Sequence, residues 1–139
     1  MGTARVVILT NQSPEFYTLM GPFLSRREIV KELGAPVWDE DGKTWFISVT
    51  NKQVNGFGAV VISKKGAARL CSFWVRPKMR RRGIHSKLLV DALGWLRSVE
   101  SEVKVVQAVC TQDAVANYTR AGFSETGRRG NYTTMEREI

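Results

Sequence analysis

The chain has 139 residues and a formal net charge of +8, because 21 Lys and Arg outnumber 13 Asp and Glu. Hydrophobic residues make up 43% of it, and no apolar run approaches the roughly 18 residues of a membrane span, which excludes an integral membrane protein. Its two cysteines allow at most one disulfide, which excludes a disulfide-framework fold, and both lie in apolar strand-like runs where we expect reduced, buried thiols.

The first predicted elements are a short strand and two helices. Residues Arg5–Thr10 favour a strand. Ser13 is expected to cap a helix that has Pro14 at its first position. A second helix is predicted over Ser25–Leu33, with Gly34 just after its end.

Three strand-like runs follow. They cover Trp45–Thr50, Phe57–Ser63 and Ala67–Val75. The first two are expected to form an antiparallel hairpin connected through Asn51–Gly56.

The clearest helix is predicted over Ile84–Val99. Its apolar residues fall at helical spacing and form one stripe, which consists of Ile84, Leu88, Leu89, Ala92, Leu93, Leu96 and Val99. The next run, Val103–Cys110, is nearly continuous apolar sequence, which predicts a strand buried on both faces. The long helix between Ala67–Val75 and Val103–Cys110 allows these two strands to pair in parallel.

The C-terminal part is predicted to hold a short helix and the last strands. Asp113 is expected to cap a helix that runs through Arg120. Tyr132–Ile139 alternates weakly and should complete the sheet, and Phe123–Thr126 can add a further short strand. The element order predicts one mixed α/β domain over residues 1–139, a length typical of a single domain.

A basic segment lies between the third strand-like run and the long helix. Five of the seven residues 76–82 are Lys or Arg. A helix N-terminus offers unpaired N–H groups and partial positive charge, and Gly83 lets a ligand approach the backbone closely. The segment therefore favours a phosphate site, with a solvated basic loop as the alternative.

The motifs here resemble those of a known family. Arg80-x-x-Gly83-x-His85 is similar to the R/Q-x-x-G-x-G/A acyl-CoA signature of the GNAT superfamily of acyl-CoA N-acyltransferases. It follows a strand that ends in V-x-P and precedes a leucine-rich helix, as in the family. About 35 residues later, Tyr118 to Phe123 reads YTRAGF, which resembles the family's Y-x-x-x-G-F.

The resemblance implies a GNAT-like fold: a mixed, mostly antiparallel sheet splayed between its two central strands and flanked by about four helices. It also implies acyl-CoA, by default acetyl-CoA, as the co-substrate. Backbone groups of the strand would bond the pantetheine arm, and the loop and helix start would hold the phosphates. The implied binding residues are Phe73, Trp74, Val75, Arg80, Arg81, Arg82, Gly83, Ile84, His85 and Ser86.

Tyr118 matches the tyrosine that, in many family members, protonates the leaving thiolate while an amine attacks the thioester directly. A phenol O–H can donate to a thiolate whose conjugate acid has a pKa near 8.5. A helix tyrosine packed in the core is the alternative.

Two features depart from the family pattern. His85 stands where Gly or Ala is usual, and its ring either contacts phosphate as a cation or narrows the cleft. The strand Ala67–Val75 lacks the Glu that many members carry. A base could come from another carboxylate, or an amine of low pKa, such as an α-amino group near 7.7–8.0, needs no strong base. The carboxylates considered are Glu15, Glu28, Asp39 and Glu40.

The remaining positive charge predicts an RNA or DNA partner. Arg26 and Arg27 lie in the region that borders the acceptor side in the family, and Arg128 and Arg129 lie near the last hairpin. The acceptor amine would then be carried on a charged tRNA or a modified base; a small amine or a protein amino group is the alternative.

Other functions stay open at this point. A non-catalytic CoA-binding or nucleic-acid-binding module on the same fold would bind its ligand without turnover, and a purely nucleic-acid-binding domain would not bind CoA. No cluster of Cys, His and Asp has metal-ligand spacing, so no metal is expected. The N-terminal residues lack a signal-peptide pattern, so we expect a cytoplasmic protein. For the oligomeric state, we expect either a monomer or a homodimer.

Overall fold

The computed structural model describes residues 3–34, 36–63, 66–99 and 102–139. The α-helices are α1 (Phe16–Met20), α2 (Arg27–Leu33), α3 (Ile84–Val99) and α4 (Val115–Arg120). The strands are β1 (Arg5–Leu9), β2 (Lys43–Thr50), β3 (Gln53–Ile62), β4 (Ala67–Val75), β5 (Val105–Thr111), β6 (Ser124–Arg129) and β7 (Tyr132–Glu138). None of the described helices has the length and apolar character needed to span a membrane.

The strands form one mixed sheet in the order β1-β2-β3-β4-β5-β7-β6. Every neighbouring pair is antiparallel except β4 and β5, which run parallel because α3 carries the chain from the end of one to the start of the other. Their pairing starts at Ala67↔Val105 and stops at Leu70↔Ala108, although both strands continue. The predicted α/β fold, with a sheet splayed between its two central strands, is confirmed.

A bulge distorts β4 where it separates from β5. The residues Ser72 and Phe73 of β4 lie opposite the single residue Gly58 of β3. Ser72 has a φ of 59°, and the Phe73 ring covers Gly58 so closely that a Cβ there would lie 2.6 Å from ring atoms. Since a bulge bends the strand that carries it, this one helps to turn β4 away from β5.

Two hydrophobic clusters cover the opposite faces of the sheet. Along β2, Phe46 belongs to one cluster, while Trp45 and Ile47 belong to the other, as the two-residue period of a strand requires. The first cluster packs against α3 and α4, and the second packs against α1 and α2. The observed bounds of α3 agree with the predicted ones, but Val99 is 54% exposed because it lies beyond the last residue of the stripe that faces the sheet.

Several predicted details are wrong. The β2–β3 connection is a two-residue turn at Asn51 and Lys52, which have φ values of 49° and 67°, so β3 begins well before Phe57. Strand β5 alternates between buried and exposed residues, since helices cover only one of its faces and Val109 is 60% exposed. Ser13 does not cap α1, which begins after Glu15.

The side chains in these turns have other partners. The Ser13 hydroxyl accepts a hydrogen bond from the Thr10 N–H at 3.0 Å. The predicted cap of α4 is wrong as well, because Asp113 lies inside a 3-10 turn, Gln112–Ala114, and Ala114 is the residue that precedes α4. Both cysteines are free thiols, as expected, but only Cys110 is buried, whereas Cys71 is partly exposed.

Candidate active site

The separation of β4 from β5 leaves a cleft of about 1380 Å³. Its walls are the ends of these two strands, the start of α3, α4 and the segment that follows α2. Nine of the ten predicted binding residues line it, namely Phe73, Trp74, Val75, Arg80, Arg81, Gly83, Ile84, His85 and Ser86, and so does Tyr118. The tenth, Arg82, is exposed and is not among the lining residues.

The β4–α3 loop (residues 76–83) ends in a backbone arrangement that suits an anion. Arg81 and Gly83 have φ values of 64° and 79°, and left-handed residues of this kind turn the backbone so that its N–H groups can line a concave site. The first hydrogen bond of α3 joins the Lys87 N–H to the Gly83 carbonyl at 3.0 Å, so the N–H groups of residues 83–86 have no acceptor within the helix. A Cβ on Gly83 would meet no atom within 4 Å, which leaves its backbone open to a ligand.

Two of the basic side chains of this loop are held by the protein itself. Arg76 donates two hydrogen bonds to the Val54 carbonyl, at 3.0 and 2.8 Å. Arg80 donates to the Val75 carbonyl at 2.8 Å and to the Glu32 carboxylate at 2.6 Å. Arg81, in contrast, is exposed and forms no ion pair within the described residues, so its charge is available to a ligand.

Glu32 is a site residue that the sequence did not indicate. It lies in the last turn of α2, lines the cleft, and accepts hydrogen bonds from Arg80 and from the Trp74 indole N–H, the latter at 3.3 Å. Arg80 is 48 positions away in the chain, so no local pattern could have related the two residues.

Tyr118 lies at the inner end of the cleft and is only 3% exposed. Burial, together with the neighbouring Cys110 and Cys71 thiols, raises the pKa of Tyr118, so its hydroxyl stays protonated. Its ring makes edge-to-face contacts with His85 at 5.4 Å and with Phe123 at 5.4 Å between centroids. The phenol is thus held rigidly and in its proton-donating form.

The ring of His85 lies between Phe73 and Tyr118, with centroid distances of 5.6 and 5.4 Å. Burial, and to a lesser degree the charge of Arg120, lowers its pKa to about 4, so the ring is neutral at pH 7. Its Nδ1 is buried and has no hydrogen-bond partner within the described residues. These observations favour a ring that narrows the cleft over a cation that contacts phosphate.

The other predicted residues lie mostly outside the cleft. Of the four candidate bases, Glu40 lines it and pairs with Lys43 at 3.5 Å; Glu15, Glu28 and Asp39 are not among the lining residues. Within the part of the chain that the structure describes, no group of three or more His, Cys, Asp and Glu is arranged to hold a metal ion.

The four arginines assigned to nucleic acid, Arg26, Arg27, Arg128 and Arg129, are all exposed, and none is among the residues that line the cleft. Arg26 pairs with Glu28 at 3.4 Å, and Arg128 pairs with Glu125 at 3.0 Å. Arg128 also lines a smaller cavity of about 510 Å³ beside the β6–β7 hairpin.

Comparison with known proteins agrees with this geometry. A family model described as the acetyltransferase (GNAT) family matches residues 10–123. The fold is similar to that of an acyl-CoA N-acyltransferase from Pseudomonas aeruginosa, with a TM-score of 0.78 and 13% identity over 97% of this chain and 99% of that one. None of the curated proteins matches the sequence.

Two further solved structures have the same fold. A GNAT family acetyltransferase from Elizabethkingia anophelis with acetyl-CoA bound has a TM-score of 0.69 and 13% identity over 98% of both chains. The ribosomal-protein-S18-alanine N-acetyltransferase from Escherichia coli has a TM-score of 0.74 and 18% identity over 99% of this chain and 94% of that one. At these identities the similarity is one of fold.

Proposed function

The chain belongs to the acetyltransferase (GNAT) family, and we propose that it transfers an acetyl or related acyl group from acyl-CoA directly to a primary amine. This proposal rests on one observation, which is the order of the groups that line the cleft from one end to the other. The cleft runs from the unpaired N–H groups at the start of α3, along the free edge of β4, to Tyr118, whose side chain is buried in the cleft wall.

The residues of this cleft fit acyl-CoA. Beyond Leu70, the edge of β4 that faces β5 makes no ladder pairs with it, so its backbone groups can bond the amides of a pantetheine arm. The N–H groups of residues 83–86 suit the pyrophosphate, and the exposed Arg81 and Arg82 can reach the 3′-phosphate. Acyl-CoA would supply a thioester carbonyl that an amine can attack.

Tyr118 would act as the general acid. The amine nitrogen forms a bond to the thioester carbon as the carbon–sulfur bond breaks, and the attacking nitrogen loses one proton to solvent. The Tyr118 hydroxyl donates a proton to the departing sulfur and is then reprotonated from solvent. Burial raises the pKa of Tyr118 and keeps its hydroxyl protonated at neutral pH, so the proton is present when negative charge develops on the sulfur.

An amine of low pKa is the acceptor that this site favours. Strand β4 carries no carboxylate, and of the four carboxylates considered as bases only Glu40 lines the cleft, where it pairs with Lys43. An α-amino group, with a pKa near 7.7–8.0, is partly unprotonated at pH 7.5, whereas a lysine side chain near 10.4 is almost fully charged. We therefore propose an α-amino or aryl-type amine rather than a lysine side chain.

The test combines acetyl-CoA calorimetry with a thiol-release assay on three amines: an α-amino ester, an arylamine and a peptide whose one free amine is a lysine side chain. We expect one acetyl-CoA per chain and release of free thiol that depends on the first two amines. Binding without release on any amine would support the non-catalytic module. The absence of acetyl-CoA binding would reject the proposed function.

An acceptor amine carried on RNA or DNA is the second candidate, favoured by exposed arginines outside the cleft. Arg27 and Arg129 form no ion pair within the described residues, while Arg26 and Arg128 would have to exchange theirs for phosphate. Two to four phosphate contacts on a single strand give a slope of log affinity against log salt of roughly −1.4 to −2.8.

Salt titration of binding to a transfer RNA tests this second candidate. Replacing Arg128 and Arg129 by Ala should flatten the slope by about 1.4 if both contact phosphate in single-stranded regions, or by about 1.8 if both contact a duplex region. Replacing the exposed Arg5 and Arg97, which lie on other elements, is the control with the same change in charge. Binding that is undetectable at low salt, or that acetyl-CoA abolishes, would exclude it.

A further inference from the structure

Glu32 joins three elements at the rim of the cleft. Its Oε2 accepts a hydrogen bond from Arg80 Nη2 at 2.6 Å, and its Oε1 accepts one from Trp74 Nε1 at 3.3 Å. Arg80 Nε also donates to the Val75 carbonyl, the last of β4, at 2.8 Å. One carboxylate and one guanidinium therefore tie α2 to the end of β4 and to the β4–α3 loop.

Arg81, which follows Arg80 in the chain, has an unfavourable backbone conformation. Arg81 has a φ of 64°, in the left-handed region, where the side chain of a non-glycine residue crowds the backbone. Such a conformation persists only where its surroundings hold it. The contacts of Arg80 are the nearest side-chain contacts that can do so, and the unpaired N–H groups at the start of α3 follow within two residues.

We propose that Glu32 is a positioning residue for the β4–α3 loop. It holds Arg80, and through Arg80 the left-handed turn at Arg81, in the arrangement that presents the N–H groups of residues 83–86 to the phosphates of acyl-CoA. The inference rests on the proposed function, since its ligand is acyl-CoA. In this role Arg80 orients the loop through its hydrogen bonds to Glu32 and to the Val75 carbonyl.

Electrostatic repulsion alone predicts that loss of Glu32 strengthens acyl-CoA binding, whereas a positioning role predicts that it weakens binding. Glu32 is a carboxylate, 40% exposed, on the wall of a cleft that would receive a polyanion. If it were only a nearby negative charge, its removal would reduce repulsion and strengthen acyl-CoA binding. A positioning role predicts weaker binding, so the sign of the change separates the two.

The test is calorimetry with acetyl-CoA on Glu32→Ala, Arg80→Ala and the double variant. Glu28→Ala is the matched control, because Glu28 lies on the same helix, carries the same charge and pairs with Arg26, away from the loop. We expect Glu32→Ala to bind about threefold to fivefold more weakly than Glu28→Ala, as for a partly exposed ion pair. The double variant should bind no more weakly than Arg80→Ala, because the two residues act as one unit.

Two further measurements keep the inference testable if a variant is unstable or if the ligand is not acyl-CoA. Glu32→Gln keeps the side-chain length and one acceptor, so its affinity should lie between that of the parent and that of Glu32→Ala. In the ligand-free protein, the amide hydrogens of Met79 and Lys87, bonded to carbonyls at 2.8 and 3.0 Å, should exchange faster in Glu32→Ala than in Glu28→Ala.

The outcomes separate the inference from the function on which it rests. A parent protein that does not bind acetyl-CoA rejects the proposed function, and the exchange rates then still report whether Glu32 holds the loop. If the parent binds acetyl-CoA but Glu32→Ala binds it as tightly or more tightly, the positioning role is overturned. Additive losses in the double variant would also overturn it, since Glu32 would then act independently of Arg80.

Discussion

Gly83 and Gly42 both have left-handed backbone, with φ values of 79° and 91°, and at both an added Cβ would meet no atom within 4 Å. An alanine at either position therefore adds conformational strain without a clash, at a cost of about 1–2 kcal/mol in each case. For a domain of this size, that corresponds to a fall in Tm of roughly 3–8 °C. The two substitutions should thus destabilise the protein to a similar extent.

Their effects on acetyl-CoA binding should differ. The free space beside Gly83 belongs to the cleft, whereas Gly42 lies in an exposed turn and does not line it. A side chain at Gly83 would occupy the space through which the pyrophosphate approaches the backbone. Gly83→Val should weaken acetyl-CoA binding more than tenfold, which is at least about 1.4 kcal/mol, with Gly83→Ala between it and the parent.

Thermal unfolding measures the stability of each variant, and calorimetry on the same preparations measures its affinity for acetyl-CoA. Gly42→Ala should lower Tm and leave the Kd of acetyl-CoA unchanged. If Gly83→Val binds acetyl-CoA as tightly as the parent, the phosphate site lies elsewhere. If Gly42→Ala weakens binding as much as Gly83→Ala does, the loss reflects general destabilisation and the assignment of the loop is refuted.

Three further predictions concern other parts of the cleft. Tyr118→Phe should lower the rate constant of the chemical step by about 10²–10⁴ in a single-turnover thiol-release assay and leave the Kd of acetyl-CoA unchanged, because the hydroxyl acts only as charge develops on sulfur. An unchanged rate constant would exclude this role for Tyr118. The pKa of His85 is lowered from 6.5 to about 4, so the unfolded chain binds more protons in this range and up to about 3 kcal/mol of stability is lost as the pH falls through it. Denaturant unfolding at several pH values should therefore give a flatter profile for His85→Phe, and an unchanged profile would contradict the assigned burial. Gly34→Ala should destabilise more than Gly42→Ala, because its Cβ would overlap the Tyr132 hydroxyl, which would have to move, in addition to the strain at a φ of 76°. The additional loss of stability should disappear in a Tyr132→Ala background. If it remains, the contact with Tyr132 is not its cause.

Elements whose pattern is local could be predicted from the sequence. The bounds of α3 follow from one apolar stripe, since side chains three and four positions apart share a helix face. The two motifs around Gly83 and Tyr118 located opposite ends of the cleft. The start of β3 was missed because polar residues such as Asn55 look like a loop, although Asn55 is buried and bonds to Ser48 and Thr50 across the hairpin.

The family, the fold class and the two segments at the ends of the cleft could all be inferred from the amino-acid sequence, because each rests on patterns of residues close together in the chain. The partners of the individual charged side chains, in contrast, follow from the packing of elements that are distant in the sequence. Arg76 and Arg80 belong to the same basic run as Arg81, yet the first two are bonded to groups of β3, β4 and α2 while the third remains exposed. Glu32 acquires its place at the cleft in the same way, through packing that brings α2 against Trp74 of β4 and Arg80 of the β4–α3 loop, 42 and 48 positions away in the sequence. Contacts of this kind depend on how the layers pack, and no local pattern encodes them.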